Sequence, residues 1–554
     1  MFRPFRRLAG GLLLGLVVAL VVLWPVYLWP RHFMVGHEGL DVWSHAWGMS
    51  WFVRSFVEGR LPWTVVGAAF PEERVLWYID PIGALLTAPL QLFGPAVAYN
   101  GLCFLIVALA GTAGWWFGRQ VGGRGWVAGV AIASTPFLQG ELWNGVTEAA
   151  WLAPIALAGG LAATRSRWTG VGIGLAGIAT PYHGVSAAFL AGMLLMMGGA
   201  RGEGSLRERL VDLGRAAGIA ALLALPHYVG IVSSMATSKP FVQKALDDIY
   251  NLPVLSSNAT DPKALIWPGD FWSRRSDPGV WSAAWRRTPY LGLGLLALAP
   301  LAFVRSRRLV GLLLPAGLLA VFCLGPFLWQ NEAFVRTADG GFYKLPFAWV
   351  LEATRTALHH HMRFAAGAVV ILAALADRGV GRAGLLLAPL ILVEQLVYAP
   401  NSWPIYSSPA LLPSVYAQLP DDGKAIIDLP GESGVAARAS RYLYWQAIHG
   451  HPIPYVNHVN ANGTASQNPA LRTMALLSRR EVGTPGSPGV PAADADIPAA
   501  LAELVDEGFG YVILHTHLLR ENDLERHMDT LVPLLGPPTV VEGGYLWRLT
   551  DEGA

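Results

Sequence analysis

Apolar runs long enough to cross a bilayer, separated by short arginine-bearing loops, constrain this chain more than any other feature. A membrane-crossing helix needs about 20 mostly apolar residues. Residues 8–30 form one such run, preceded by Arg3, Arg6 and Arg7. Across all 554 residues, 53% are hydrophobic and only 14% are charged, with a mean hydropathy of +0.41. A soluble chain usually carries about 25% charge. The sequence therefore reads as a polytopic α-helical membrane protein. The net charge of +2 leaves no basic excess of the kind that binds nucleic acid.

Eleven spans are predicted: roughly 8–30, 95–118, 125–140, 149–164, 168–181, 184–200, 213–231, 289–304, 309–325, 362–376 and 383–399. The run at 8–30 is about twice a signal-peptide core, and no small-residue cleavage site follows it. It reads as a retained first helix. Short loops on one side carry Arg119 and Arg124, Arg165 and Arg167, Arg201 to Arg215, Arg305 to Arg308, and Arg378 with Arg382. The positive-inside rule puts these with the N-terminus in the cytoplasm. The longer loops, about 31–94, 232–288 and 326–361, then lie outside, and an odd span count puts the C-terminus outside too. Tryptophans such as Trp24, Trp29, Trp143, Trp168 and Trp329 sit near span ends, as interfacial belts require.

Two segments of the first outer loop read as interfacial. Residues 81–94 are apolar but short and bounded by proline, which suits a half-embedded helix. Residues 44–58 put Trp47, Trp51 and Phe52 on one helical face, which suits a helix lying along the membrane surface. Beyond residue 400 the composition changes. "KAIIDLP" reads as a buried strand, "AARASRYLYWQAIHG" as a helix, "PIPYVNH" as a second strand, and residues 483–496 as a linker. "IPAALAELVDEGF", "GYVILHT" and "TVVEGGYLWRLT" read as helix, strand and hairpin. Two domains follow: a transmembrane part over 1–400 and an extracytoplasmic α/β domain over 401–554, large enough for its own core. The two cysteines, Cys103 and Cys323, both lie in apolar runs and form no disulfide framework or thiol metal site. Nucleotide-binding loops, GxSxG and HExxH are absent, so no nucleotide cofactor is expected.

The chemistry concentrates in His37-Glu38-Gly39-Leu40-Asp41-Val42-Trp43-Ser44-His45, just past the first span. Ionisable groups at this depth are costly and mark a functional site. A partly desolvated Asp41 suits a base toward a hydroxyl acceptor. It equally suits a cap for the surface helix that follows. His37, Asp41 and His45 recur every four residues with Glu38 beside them, so His37, Glu38 and Asp41 are candidate ligands for a divalent metal. Gly39 weighs against the continuous helix this would need. The topology sends Asp80, Glu141, Glu148, Tyr182 and His183 to the same membrane face. Each also reads as an ordinary interfacial polar group. The run "RTALHHHMRF" places His361 and Arg363 at the outer end of the tenth span, where an arginine fork can hold a phosphate or snorkel to headgroups. Lys239, Lys244, Lys263, Arg274, Arg275, Arg286 and Arg287 add positive charge to the outer loops.

One span, then an acidic motif "EGLDVWSHAW", an interfacial helix and a second acidic position: this arrangement resembles the GT-C membrane glycosyltransferases. The segments "YNGLCFLIVALAGTAGWWFG", "ELWNGVTEAAWLAP" and "LPFAWVLEATRTALHHHMRF" are similar to bacterial GT-C-like proteins with a C-terminal extracytoplasmic domain. The resemblance covers about residues 1–400. It implies a polyprenyl-phosphate sugar donor, a lipid or glycan acceptor, and Asp41 as catalytic base or metal-associated carboxylate. It also matches Arg363-Phe364 to a late-helix Arg-Phe element. Asp41 lacks the adjacent second acid of some members, since its neighbours are Leu40 and Val42, and the oligosaccharyltransferase WWD signature is missing.

On that resemblance the chain is expected to transfer sugar at the outer face of a bacterial inner membrane. Asp41 would take the acceptor proton, with His45 orienting it. Glu148 and Asp80 would orient the acceptor or a metal, with Tyr182, His183 and His361 lining the substrate site. Arg363 would stabilise the leaving phosphate. Two other readings stay open. A lipid-carrier transporter or flippase needs polar groups along the spans, for which Glu394 and His227 are candidates. A non-catalytic assembly partner would bind glycan or protein through Asp428, Tyr442, Tyr444, His449 and His451.

Overall fold

The computed structural model describes residues 2–71, 75–76, 80–237, 255–256, 258–266, 289–331, 333–355, 358–399, 403–431, 437–455, 467–477, 495–520 and 523–549. Lys239, Lys244, Arg274, Arg275, Arg286, Arg287 and most of the 483–496 linker lie outside these residues.

The apolar runs fold as helices. In chain order the first ten are α1 (Phe2–Val22), α2 (Val42–Val57), α3 (Pro81–Thr87), α4 (Pro95–Gln120), α5 (Trp126–Ser134), α6 (Pro136–Asn144), α7 (Ala153–Ala163), α8 (Thr169–Ala179), α9 (Pro181–Met196) and α10 (Leu206–Thr237). They continue as α11 (Leu293–Leu298), α12 (Leu301–Arg305), α13 (Leu313–Cys323), α14 (Pro346–Thr354), α15 (Ala365–Val380) and α16 (Gly384–Val397). Each predicted span falls on a helix or a pair of helices. Among the described residues, three helical stretches are long and apolar enough to cross a membrane: Pro95–Gln120, Leu206–Ser233 and His361–Val397. Two predicted spans are broken by proline. The run at 125–140 divides at Thr135, with Pro136 opening α6, and the run at 289–304 divides at Pro300. Proline lacks the N–H a continuing helix needs, so it opens a new segment instead.

The C-terminal strands β7 (Ala425–Leu429), β8 (Phe509–His515), β9 (Thr539–Val541) and β10 (Gly544–Arg548) form one sheet in the order β7-β8-β10-β9. The β7–β8 pair is parallel, and β9 and β10 close as the antiparallel hairpin expected. Side chains alternate across this sheet, as the strand period of two requires. Ile426, Tyr511 and Ile513 join the main core, while Ala425, Ile427, Leu429, Val512 and Leu514 join a separate core. That second core is completed by α18 (Pro469–Leu476), α19 (Ile497–Glu507) and α20 (Asp523–Leu535). The expected strand at "PIPYVNH" is not in this sheet. Within its described part, Ile453 instead makes a single bridge to Ala68 of the first outer loop.

The loop over 31–94 and the C-terminal region are stitched together. Strand β1 (Phe33–Val35) pairs antiparallel with β6 (Ser407–Pro409), Phe33 against Pro409, while β2 (Thr64–Val65) pairs with β3 (Val75–Leu76) and β4 (Trp329–Gln330) with β5 (Ala333–Phe334). Asn100 at the start of α4 accepts from Val35 N–H and donates to the carbonyls of Pro30 and Phe33, which fixes where the loop leaves the bundle. Helix α2 packs against α17 (Ala437–His449), and the indole N–H of Trp47 donates to Gln446 Oε1 at 2.7 Å. The aromatic face of α2 therefore covers protein: Trp43, Trp47, Trp51 and Phe52 are all buried. This corrects the expectation of a face laid on lipid. A buried indole N–H needs an acceptor, and Gln446 supplies one. In 81–94, Leu85, Leu86, Leu92 and Phe93 are exposed.

Candidate functional site

The segment 36–41 is a turn pinned from two sides, and α2 follows it from Val42. On the bundle side, His37 N–H donates to the Trp143 carbonyl and Asp41 N–H to the Asn144 carbonyl, both at 2.9 Å. Gly145 makes this approach possible. It has φ +85°, and a Cβ there would sit 2.3 Å from Val42 N. On the other side, Gly36 N–H donates to the Tyr406 carbonyl.

Asp41 occupies the N-cap position of α2, but its carboxylate makes no capping hydrogen bond. Its backbone carbonyl does the local work, accepting from Ser44 Oγ at 2.8 Å, His45 N–H at 3.1 Å and His45 Nδ1 at 3.0 Å. The expectation that His45 orients the Asp41 carboxylate therefore changes: the ring is tied to the carbonyl. Its other nitrogen, Nε2, lies 3.0 Å from Glu148 Oε2. A carbonyl can only accept, so Nδ1 carries a proton, and the Glu148 carboxylate favours a second proton on Nε2. Burial pushes the His45 pKa down, but Glu148 outweighs it and raises it to about 9. Burial likewise pushes Glu148 up, and His45 outweighs that, lowering it to about 2. The pair is an imidazolium–carboxylate contact across neutral pH.

Asp80 lies on the same side, before α3. Its two oxygens accept from Gly83 N–H and from Trp151 Nε1–H, each at 2.8 Å. Burial pushes its pKa up to about 6. Both oxygens are committed to protein donors, so Asp80 caps α3 and ties it to the segment that opens α7.

Arg363, in the helical turn His361–Phe364, is 8% exposed. Its Nε lies 3.3 Å from Glu141 Oε1 of α6, and its guanidinium sits 6.0 Å from the Tyr182 ring centroid. Glu141 is fully buried. The Tyr182 hydroxyl accepts from His360 N–H at 2.8 Å. Glu148 links the two charge pairs, since its field reaches Asp80 and Arg363 as well as His45. The structure thus gathers Asp41, His45, Glu148, Asp80, Arg363 and Tyr182 at one end of the helices.

Other expected residues are spent elsewhere. His37 accepts from Gly39 N–H at Nδ1 and stacks on Tyr406 at 4.5 Å. Glu38 pairs with Arg441. His37 and Glu38 are so engaged, and among the described residues no cluster of three or more His, Cys, Asp or Glu side chains is arranged to hold a metal. Gly39 explains this: the residues turn instead of continuing as a helix, so the spacing of four never places them on one face. His183 is buried with Nε2 2.7 Å from the Ala149 carbonyl. His361 is buried against Gly325 and Phe347. Neither joins the charged group. Glu394 accepts from Tyr290 O–H and Gly294 N–H, which ties it to the start of α11. His227 lies beside Trp63 and Tyr228. The Glu141–Arg363 pair was missed as a unit. Its signal was present: two ionisable residues in apolar surroundings, of opposite sign, assigned to the same membrane face.

No protein-family model matches the sequence, and no curated protein matches it. Among solved structures, the chain is similar to the arabinofuranosyltransferase AftD from Mycobacteria, with a TM-score of 0.54 and 15% identity over 99% of this chain. This chain spans 40% of the length of that protein. It also aligns with the oligosaccharyltransferase AglB from Archaeoglobus fulgidus, seen with an inhibitory peptide and a dolichol-phosphate, at a TM-score of 0.44 and 13% identity over 96% of this chain and 71% of that one. The first likeness carries the fold assignment: this chain has a GT-C-like fold.

Proposed function

We propose that this chain is a membrane glycosyltransferase of GT-C type, with a polyprenyl-phosphate sugar as donor and a lipid or glycan hydroxyl as acceptor. Eleven crossings, a cytoplasmic N-terminus and an extracytoplasmic C-terminal α/β domain over 401–554 belong to the same proposal, with the reaction at the outer face of a bacterial inner membrane. The observation that carries it is the convergence of Asp41, the His45–Glu148 pair and Arg363 at one end of the helices, on a GT-C-like fold.

The reaction is a displacement at the anomeric carbon. Asp41 takes the acceptor proton as the hydroxyl oxygen bonds to that carbon, and the bond to the donor phosphate breaks. One displacement inverts the anomeric centre. Arg363, held at Nε by Glu141, faces the charge that develops on the leaving phosphate. The His45 imidazolium, fixed by Glu148, places positive charge beside Asp41. Asp80 holds the wall of the site through α3. Transport finds less support, because the Glu394 carboxylate on α16 is engaged by Tyr290 O–H and Gly294 N–H at the start of α11.

The test is a cryo-EM map of the full chain in nanodiscs with a polyprenyl-phosphate sugar added. Lipid phosphate density within hydrogen-bonding reach of Arg363, with the sugar toward Asp41, supports the reading. Donor density on a different face of the protein contradicts it.

A further inference from the structure

Helix α17 lies across α2, and one of its side chains reaches both ends of the turn that carries Asp41. Arg441 Nη2 is 2.5 Å from Glu38 Oε2, and the same guanidinium lies 5.1 Å from the Trp43 ring centroid. Trp43 in turn donates its indole N–H to the Glu38 carbonyl at 3.0 Å. Residues 38 and 43 are thereby joined to each other and to a single cation, with Asp41 between them. Two neighbours extend the contact: Tyr444 packs 5.4 Å from Trp43, and Gln446 accepts from Trp47. The bundle side of the turn is already fixed by the Asn144 and Trp143 carbonyls. Arg441 closes it from the opposite side.

The residue type fits the task. A guanidinium bonds a carboxylate through its edge while its face rests on an aromatic ring; an ammonium is a point charge and does only one of these well. The contact with Glu38 is half-buried, with side chains 16% and 43% exposed, so it is less screened than a free surface pair. The link bridges 403 positions of sequence and joins the C-terminal α/β region to the acidic turn.

We propose that Arg441 is a positioning residue: by gripping Glu38 and Trp43 it fixes the Asp41–His45 segment, so that the C-terminal region sets the geometry of the site. What that segment catalyses rests on the glycosyltransferase reading, but the grip itself is a separate claim with its own readout. Hydrogen–deuterium exchange of the full chain in nanodiscs measures it without substrate. In Arg441→Ala, amides across 37–45 exchange about tenfold faster, as expected for losing one charge-assisted contact and one cation–π contact. β7, β8 and α4 keep their protection. Arg441→Lys falls between, and Glu38→Gln, which keeps the stack on Trp43, gives a smaller acceleration than Arg441→Ala. An unchanged turn overturns the proposal. So does equal acceleration in β7 and β8, which would make Arg441 a general support of the fold. With a polyprenyl-phosphate donor that the wild type uses, Arg441→Ala lowers kcat and leaves the donor KM unchanged. A loosened turn with unaltered kcat overturns the positioning role. If the turn loosens but Asp41→Asn transfers sugar at the full rate, the glycosyltransferase mechanism fails and the grip stands.

Discussion

Replacing Glu148 by glutamine removes the carboxylate that keeps His45 charged, and the cost can be worked from the two titrations. His45 moves from 6.5 to about 9 in the folded protein, and Glu148 from 4.5 to about 2. At about 1.36 kcal/mol for each tenfold change in acidity, each change is worth roughly 3 kcal/mol. Both shifts report chiefly the same contact, with Asp41 adding to the first and Arg363 to the second, so the energy counts once and this figure is an upper bound for the pair. The sign follows from each partner. The raised His45 contributes stability that is complete below pH 6.5 and lost as pH rises through about 9. The lowered Glu148 contributes stability that is complete above pH 4.5 and lost as pH falls through about 2. The pair therefore stabilises fully between about pH 4.5 and 6.5. Thermal unfolding in nanodiscs, followed from pH 5 to pH 10, reads this out. Wild type loses stability from pH 6.5 upward. Glu148→Gln is less stable at pH 6 by up to roughly 3 kcal/mol, and the two converge near pH 10. Equal stability of the two proteins at pH 6, or parallel profiles up to pH 10, refutes the assignment of a charged His45.

Three further outcomes follow from the geometry. Gly145→Ala places a methyl group against Val42 N at a positive φ, so the variant loses about 1–3 kcal/mol, read as a lower Tm together with faster exchange across 37–45. Glu141→Gln leaves Arg363 buried without its counter-charge and costs about 3–5 kcal/mol, whereas the double change Glu141→Leu with Arg363→Met recovers most of it in a double-mutant cycle. Asp80→Asn keeps one acceptor but cannot accept from both Gly83 N–H and Trp151 Nε1–H. It loses about 1–3 kcal/mol, with a changed Trp151 fluorescence as the local signature.

Local patterns were legible in the sequence, and distant pairings were not. Apolar length placed helix at each of the runs, and three described stretches, Pro95–Gln120, Leu206–Ser233 and His361–Val397, are long and apolar enough to cross a membrane. It did not show where Pro136 and Pro300 divide those runs. The acidic turn was found because its chemistry lies within nine residues. Its internal geometry was not legible, because Gly39 lets the chain turn where a spacing of four pictures a continuing helix. The partners that give the site its electrostatics come from far away: Arg363 reaches Glu141 across 222 positions, and Arg441 reaches Glu38 across 403. No periodicity encodes such pairs. They follow from the rule that a buried charge must be compensated, and that rule names a need for a partner without naming which one. The aromatic face of α2 shows the same limit. Its pattern announced a buried stripe, and only the fold shows that α17, not lipid, covers it.

The central claim is that Asp41 is the base of a sugar-transfer reaction. The most direct measurement is transfer from polyprenyl-phosphate sugars by the purified full chain in nanodiscs, comparing wild type with Asp41→Asn. Asparagine keeps the size of the side chain and the backbone bonds that hold the turn, so the fold is retained and donor binding persists. The account predicts transfer by the wild type and a fall of at least about a hundredfold in kcat for the variant. Full-rate transfer by Asp41→Asn contradicts it.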